Sequence, residues 1–228
     1  MDESTSRAEE LSRRWAGLSA QQILAEAVGA FPPGRLALSS AFGPTSLVLI
    51  DMIAEAGFDI PVIFVDTLHH FAETIELVER VRARYGVDIR IFRPEADRAS
   101  FEARYGERLW ERDLALYQEV AKVEPFRRAT SEFDAWLTGR RREQASTRTE
   151  LPLVEDGEKL RINPLVDWNR GQVWSYILDR KIPYNLLHDQ GYTSIGDEPL
   201  TTSTKEGEDE RAGRWRGSDR VECGIHLI

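Results

Sequence analysis

Apolar and polar positions along the chain fall into two alternating patterns. Residues 7–31 repeat with a helical period, as one or two amphipathic helices. Ser19 and Gln22 form a capping box for the second, with Ile23, Leu24, Ala27 and Val28 on one face. From Arg35 the pattern changes. Arg35–Ser39 and Pro61–Asp66 are short apolar runs that read as buried strands, and Asp88–Phe92 alternates as an edge strand does. Between them lie a helix over Leu47–Ala56, closed by Gly57, and one over Phe71–Tyr85, closed by Gly86, with Ile75, Val78, Val81 and Tyr85 on its apolar side. Residues 99–133 are helical again through Phe101, Tyr105, Leu109, Leu116 and Val120. Phe133–Thr138 and Lys159–Ile162 read as strands, and Val154–Gly157 as a turn. A helix over Asn169–Lys181 presents Val173, Trp174, Ile177 and Leu178, and after Pro183 periodicity fades. Strand–helix alternation with apolar strands predicts an α/β fold, a mostly parallel sheet with helices on both faces. Ligands of such sheets bind at the C-terminal strand ends, here Ser39–Ser46 and Asp66–His70.

Composition narrows the class. The 228 residues fit one domain with an appended arm, and 41% apolar with 30% charged content describes a soluble globular protein. A net charge of −9 argues against general nucleic-acid binding. The longest apolar stretch, Leu47–Ile50, stops at Asp51, so no membrane span is expected, and no signal peptide is visible. A single cysteine rules out an internal disulfide and suits a reducing cytoplasm.

That cysteine, Cys223, stands in Glu222-Cys223-Gly224-Ile225-His226, after Arg211, Arg214, Arg216 and Arg220. A thiolate is the strongest nucleophile among ordinary side chains, and nearby cations increase its population. The plain alternative is a small buried hydrophobe. Residues 201–220 are polar, with glycines at 207, 213 and 217, and read as a mobile arm that presents the thiol. Ser39–Ser46 joins a strand to a helix through small and hydroxyl residues and reads as an anion site, or as an ordinary capped loop; without a lysine it is not a Walker-type P-loop. Asp66 could accept from a ribose or adenine, whereas His69 and His70 read as loop polarity; no zinc spacing is present. Arg140–Arg148 is the densest positive cluster and suits phosphate or sulfate oxygens, or a solvated loop.

Taken together these pieces resemble the phosphoadenylyl-sulfate (PAPS) and adenylyl-sulfate (APS) reductases of sulfate assimilation. The likeness runs from about Arg35 to the end of the chain. It is carried by Ser39–Ser46, Val65-Asp66-Thr67 with Glu73-Thr74, Lys122-Val123-Glu124-Pro125, and Arg141-Arg142-Glu143-Gln144 with Arg148. Ile162–Trp168, Tyr184–Tyr192 and Glu222–His226 add to it.

The resemblance implies an adenine-nucleotide α-hydrolase-like (PP-loop) fold over 35–200, a helical segment over 1–34 and a catalytic arm over 201–228. It implies that Cys223, flanked by His226, attacks the sulfur of a bound phosphosulfate, with Lys122, Arg211 and Arg214 neutralising its oxygens. Substrate would rest on Ser39, Ser40, Phe42, Gly43 and Ser46, on Asp66 and Thr67, and on Arg141, Arg142, Gln144 and Arg148. Thioredoxin or glutaredoxin would then release sulfite, and the enzyme would be a homo-oligomer. Members of the family that use APS generally hold an iron–sulfur cluster on two cysteine pairs. The corresponding positions here are Tyr117-Gln118 and Asp197-Glu198-Pro199-Leu200, so no cluster or other metal is expected and PAPS is the expected substrate. Two alternatives stand beside this reading: a cluster-free APS reductase, and an adenylyl-transferring subunit on the same fold, for which a tail cysteine has no role.

Overall fold

The computed structural model describes residues 6–205, 207–215 and 224–227; for His226 and Leu227 this covers the backbone alone. Cys223, Glu222, Arg216 and Arg220 lie outside the described residues.

Six short strands form one sheet: β1 (Leu36–Ser39), β2 (Val62–Val65), β3 (Ile89–Phe92), β4 (Ala135–Leu137), β5 (Val154–Glu155) and β6 (Leu160–Ile162). Their order is β3-β2-β1-β4-β6-β5. All neighbours pair parallel except β5 with β6. β3 is an edge strand, as its alternation predicts. Val154 and Glu155, read above as part of a turn, instead pair antiparallel with β6 at the other edge. Two residues of strand are too few to leave a period in the sequence.

Side chains alternate across the strands and divide the interior. Leu36, Leu38, Val62 and Phe64 join the main core. That core includes α1 (Arg7–Arg14), α2 (Ala20–Ala30), α3 (Pro44–Glu55), α4 (Ala72–Tyr85) and, further along the chain, the helix Arg170–Asp179. Ala37 and Ile63 point to the opposite face and pack with Ala129 and Phe133. The segment 98–130 is broken into α5 (Arg98–Tyr105), α6 (Leu109–Arg112), α7 (Leu114–Gln118), a π-helical turn Glu119–Val123 and α8 (Glu124–Thr130); Arg170–Asp179 is α9.

The capping box at Ser19 and Gln22 is present. The helix expected from Leu47 begins three residues earlier, at Pro44, with Gly43 as its N-cap. Proline is well placed there, because a first-turn N–H has no helical partner to lose. Val28, Ile75, Leu116 and Leu178, expected on buried faces, are exposed, Leu178 by 59%. Each sits beside the true stripe of its helix; in α4 that stripe is Thr74, Leu77, Val78 and Val81.

The chain passes from β1 outward to β2 and β3, then returns to β4 on the other side of β1. The strand ends beside this reversal open a crevice at the C-terminal edge of the sheet. Residues 207–215, expected as part of a mobile arm, pack against that edge: Trp215 is buried, and its backbone N–H donates to the Leu200 carbonyl at 3.0 Å.

Candidate active site

The loop after β1 forms the floor of the crevice. Ser39, Ser40, Gly43 and Ser46 line it. Ser40 Oγ donates to Ser46 Oγ at 2.9 Å and accepts from the Phe42 N–H at 2.9 Å, and Ser46 Oγ donates to the Gly43 carbonyl at 2.9 Å. These bonds hold the loop open around the N-terminus of α3, where unpaired N–H groups and the helix dipole favour an anion. Phe42 does not line the crevice. Its φ of 56° turns the backbone, and its ring packs edge-on to Phe64 at 5.3 Å. Gly139, after β4, approaches so closely that a Cβ there would lie 2.9 Å from Ser46 N.

The end of β2 supplies a second wall. Asp66 is buried, accepts from Arg93 Nε at 2.7 Å and from the Leu68 N–H at 3.0 Å, and does not reach the crevice. Thr67 and His70 do. His70 Nε2 donates to the Val65 carbonyl at 3.1 Å, so its lone pair in the neutral form is on Nδ1. His69 turns away into a ring of aromatics, 5.2 Å from Phe101, 5.0 Å from Trp110 and 5.4 Å from Tyr117. Burial lowers its pKa, consistent with a neutral, structural imidazole.

Lys122, Arg211 and Arg214 are among the cations that line this crevice. Lys122 sits in the π-helical turn, 5% exposed, with Nζ 2.7 Å from Asp197 Oδ2. Asp197 is fully buried and also accepts from Thr67 Oγ1 at 2.9 Å. Burial pushes its carboxyl up, but the charges of Lys122, His70 and Arg214 outweigh burial and leave it below the usual carboxylate range. Arg214 donates to the Ile195 carbonyl at 3.1 Å. Its guanidinium lies 4.6 Å from the centre of the Trp215 ring, and that of Arg211 lies 5.3 Å from it.

The Arg140–Arg148 cluster divides. Arg140, Gln144 and Arg148 line the crevice. Arg148 Nη1 donates to Gln144 Oε1 at 2.5 Å. Arg141 is 2% exposed and faces inward, bonding Thr45 Oγ1 at 3.1 Å, the Trp168 carbonyl at 3.2 Å and Glu210 at 2.9 Å. Arg142 lies outside the crevice, bonded to the Leu151 carbonyl at 2.8 Å and paired with Asp167.

Residues 35–203 match the phosphoadenosine phosphosulfate reductase domain family. The chain belongs to this family. A probable phosphoadenosine phosphosulfate reductase of Schizosaccharomyces pombe is 42% identical over 96% of this chain and 84% of its own. An adenosine 5'-phosphosulfate reductase of Halalkalibacterium halodurans is also 42% identical, over 84% of this chain and 85% of its own. The crystal structure of a PAPS reductase from Candida auris in complex with phosphate superimposes with a TM-score of 0.79 at 40% identity, covering 87% of this chain and 98% of that one. The chain is therefore an oxidoreductase of the PAPS/APS reductase family on a PP-loop-type fold. No helix among the described residues is long and apolar enough to cross a membrane.

Within that family the geometry has a clear chemical sense. Hydroxyls, the N-terminus of α3 and cations line the crevice, which suits a substrate carrying several anionic oxygens. The C-terminal turn Gly224–Leu227 brings Ile225 to the same wall. The two segments that would carry cluster cysteines meet beside it: Tyr117 and Leu200 share one apolar cluster, and Asp197 holds Lys122. His70 and Arg140 stand in stretches that the sequence points to, the Asp66–His70 strand end and the arginine cluster, although His70 reads there as loop polarity. Asp197, Glu210 and Gly139 carry no such signal, since a lone acid or Gly among small and polar residues has none.

Proposed function

We propose that this enzyme reduces 3'-phosphoadenylyl sulfate to sulfite and adenosine 3',5'-bisphosphate. The Cys223 thiolate attacks the sulfur of the phosphosulfate. The S–O bond to phosphate breaks, its electron pair leaves with the nucleotide, and an S-sulfocysteine remains. A thiolate of thioredoxin or glutaredoxin then attacks Cys223 Sγ; sulfite departs with the S–S electron pair, and the mixed disulfide is resolved by the second thiol of the reductant. Lys122, Arg211 and Arg214 balance charge on the transferring group, and the Ser39–Ser46 loop holds the phosphate side. His226, three residues after Cys223, is the proposed companion of the thiolate.

The observation that carries this reading is the place of Ile225: two residues from Cys223, it lines the same crevice as Lys122, Arg211 and Arg214. That closeness in sequence supports assigning the lone cysteine of the chain to the anion site. It also suits a cluster-free enzyme in a reducing cytoplasm. Among the described residues no group of three or more His, Cys, Asp or Glu side chains could hold a metal. A purified preparation is expected to be colourless; stoichiometric iron would count against the cluster-free reading.

A second reading, reduction of APS to sulfite and AMP, is favoured by one feature. Arg140, of the cluster that suits phosphate oxygens and would be needed for a 3'-phosphate, already donates from Nη1 to both carboxylate oxygens of Glu155, at 2.7 and 2.6 Å. Sulfite release with reduced thioredoxin, PAPS and APS supplied in parallel, decides between them. Preference for PAPS supports the first reading, preference for APS the second, and no sulfite from either removes both.

A further inference from the structure

Lys122 and Arg214 enter the crevice from distant parts of the chain, yet they are seated by two adjacent residues, Asp197 for Lys122 and Gly196 for Arg214. Asp197 contributes a carboxylate with no exposure at all. Its Oδ2 lies 2.7 Å from Lys122 Nζ and its Oδ1 accepts from Thr67 Oγ1, which fixes the carboxylate plane against the end of β2. The backbone around it is equally constrained. His70 and Asp197 form an isolated antiparallel bridge, the Glu198 N–H donates to the His69 carbonyl at 2.8 Å, and Thr201 Oγ1 donates to the Asp197 carbonyl at 2.7 Å. Gly196, one residue earlier, lies flat under the Arg214 guanidinium. A Cβ there would lie 2.1 Å from Arg214 Nη2 and 2.3 Å from its Cζ.

We propose that Gly196 and Asp197 are the positioning residues of the site, Asp197 aiming Lys122 and Gly196 seating Arg214 at the transferring sulfonate. The assignment rests on the phosphosulfate-reductase reading above. A lysine ammonium on a four-carbon stem is otherwise free to swing, and lost orientation is lost transition-state stabilisation. A π-turn places Lys122 where the ammonium reaches both the buried carboxylate and the crevice; such turns recur at functional sites. Asp197 keeps the ammonium at the wall, and Thr67 keeps Asp197 from rotating. The seat of Arg214 works by absence: only a residue without a side chain leaves room for the flat guanidinium beside the Ile195 carbonyl that it bonds.

The test is a set of double-variant cycles read as kcat and KM for sulfite release, with thermal unfolding run on every protein. Lys122→Met is expected to lower kcat by on the order of 10²-fold. Asp197→Asn, which keeps an acceptor for Thr67 but removes the charge, is expected to lower kcat by roughly 10-fold or more with KM moving far less. Because Asp197 acts through Lys122, the Lys122→Met/Asp197→Asn protein is expected to be no slower than Lys122→Met alone. That comparison does not need the Asp197→Asn single variant to fold, and removing both charges leaves no unpaired ion inside. Gly196→Ala is expected to fold, since the atoms its methyl meets are the far end of a flexible side chain. It should lose roughly 10-fold in kcat alone and nothing further in an Arg214→Ala background. A folded Asp197→Asn or Gly196→Ala enzyme with wild-type kcat, or losses that simply multiply in the cycles, would overturn the assignment. Wild-type enzyme releasing no sulfite from PAPS or APS would instead sink the reductase reading itself.

Discussion

Two positively charged stretches, Arg140–Arg148 and Arg211–Arg214, meet the same crevice and are used in opposite ways. In the first, the two central arginines turn from the anion site. Arg141 is buried against Glu210 and Thr45, and Arg142 is held outside by Asp167 and the Leu151 carbonyl. In the second, both arginines line the crevice and flank the buried Trp215 ring. Density of charge in the sequence therefore does not say where a cation points. The carboxylates within reach decide that, and they come from distant positions: Glu210 is 69 residues from Arg141. Arg141 ties the loop residue Thr45 to the segment that carries Arg211 and Arg214, so it acts as a strut where the sequence suggested a contact to substrate.

The largest effect would come from the arm. Cys223→Ser is expected to abolish sulfite release while nucleotide binding stays within about a few-fold, by calorimetry. Loss of binding as well would mean that the arm is structural. Next comes the line between the two stretches. Arg214→Ala should lower kcat/KM by on the order of 10²-fold, as loss of a preorganised charge at a transition state does. Arg141→Ala should act on stability, lowering it by about 1–3 kcal/mol in denaturant unfolding, because Thr45, the Trp168 carbonyl and Glu210 lose their shared partner. A full-strength fold with a raised KM would return Arg141 to the substrate side.

A smaller effect is set by pH. Burial lowers the pKa of both His69 and His188. Below about pH 6.5 the unfolded chain takes up protons on these imidazoles that the folded chain does not, so stability is expected to fall as pH drops through that value. Asp197, whose folded pKa is depressed, contributes stability above its unfolded value and loses it only as pH falls further, into the acid range. Melting curves from neutral pH to about pH 5 check the histidine part; a flat midpoint across that window contradicts it. The smallest effect is expected from Arg142→Ala, with binding changed by no more than about two-fold, since its partners are a half-exposed surface pair. A large rise in KM there would break the contrast between the two stretches.

Much of the scaffold is legible in the sequence. Buried strands announce themselves as apolar runs, and the Ser39–Ser46 loop and Gly86 are punctuation that short-range geometry enforces. The site was legible where local chemistry carried it, in the loop after β1, in Lys122 and in the two arm arginines. It was illegible where it depended on long-range pairing. Nothing near Asp197 in sequence foretells an ion pair with Lys122, 75 residues before it, because a carboxylate among Gly, Glu and Pro has the same pattern as a surface turn. Phe42 and Asp66 stand in motif positions, yet neither lines the crevice; Phe42 packs on Phe64, and Asp66 pairs with Arg93. The glycines of the arm suggested mobility. Gly213 instead allows close packing, since a Cβ there would lie 2.1 Å from the Thr202 carbonyl oxygen.

The proposed reaction passes through a covalent intermediate at Cys223. Intact-mass analysis of the full chain, mixed with PAPS and no reductant, reads it directly. The expected result is one sulfonate added per chain, located to Cys223 by peptide mapping, with an equal amount of adenosine 3',5'-bisphosphate in solution and loss of the adduct on adding reduced thioredoxin. Nucleotide release and sulfite formation without any adduct on Cys223, or an adduct that thioredoxin leaves in place, would contradict it.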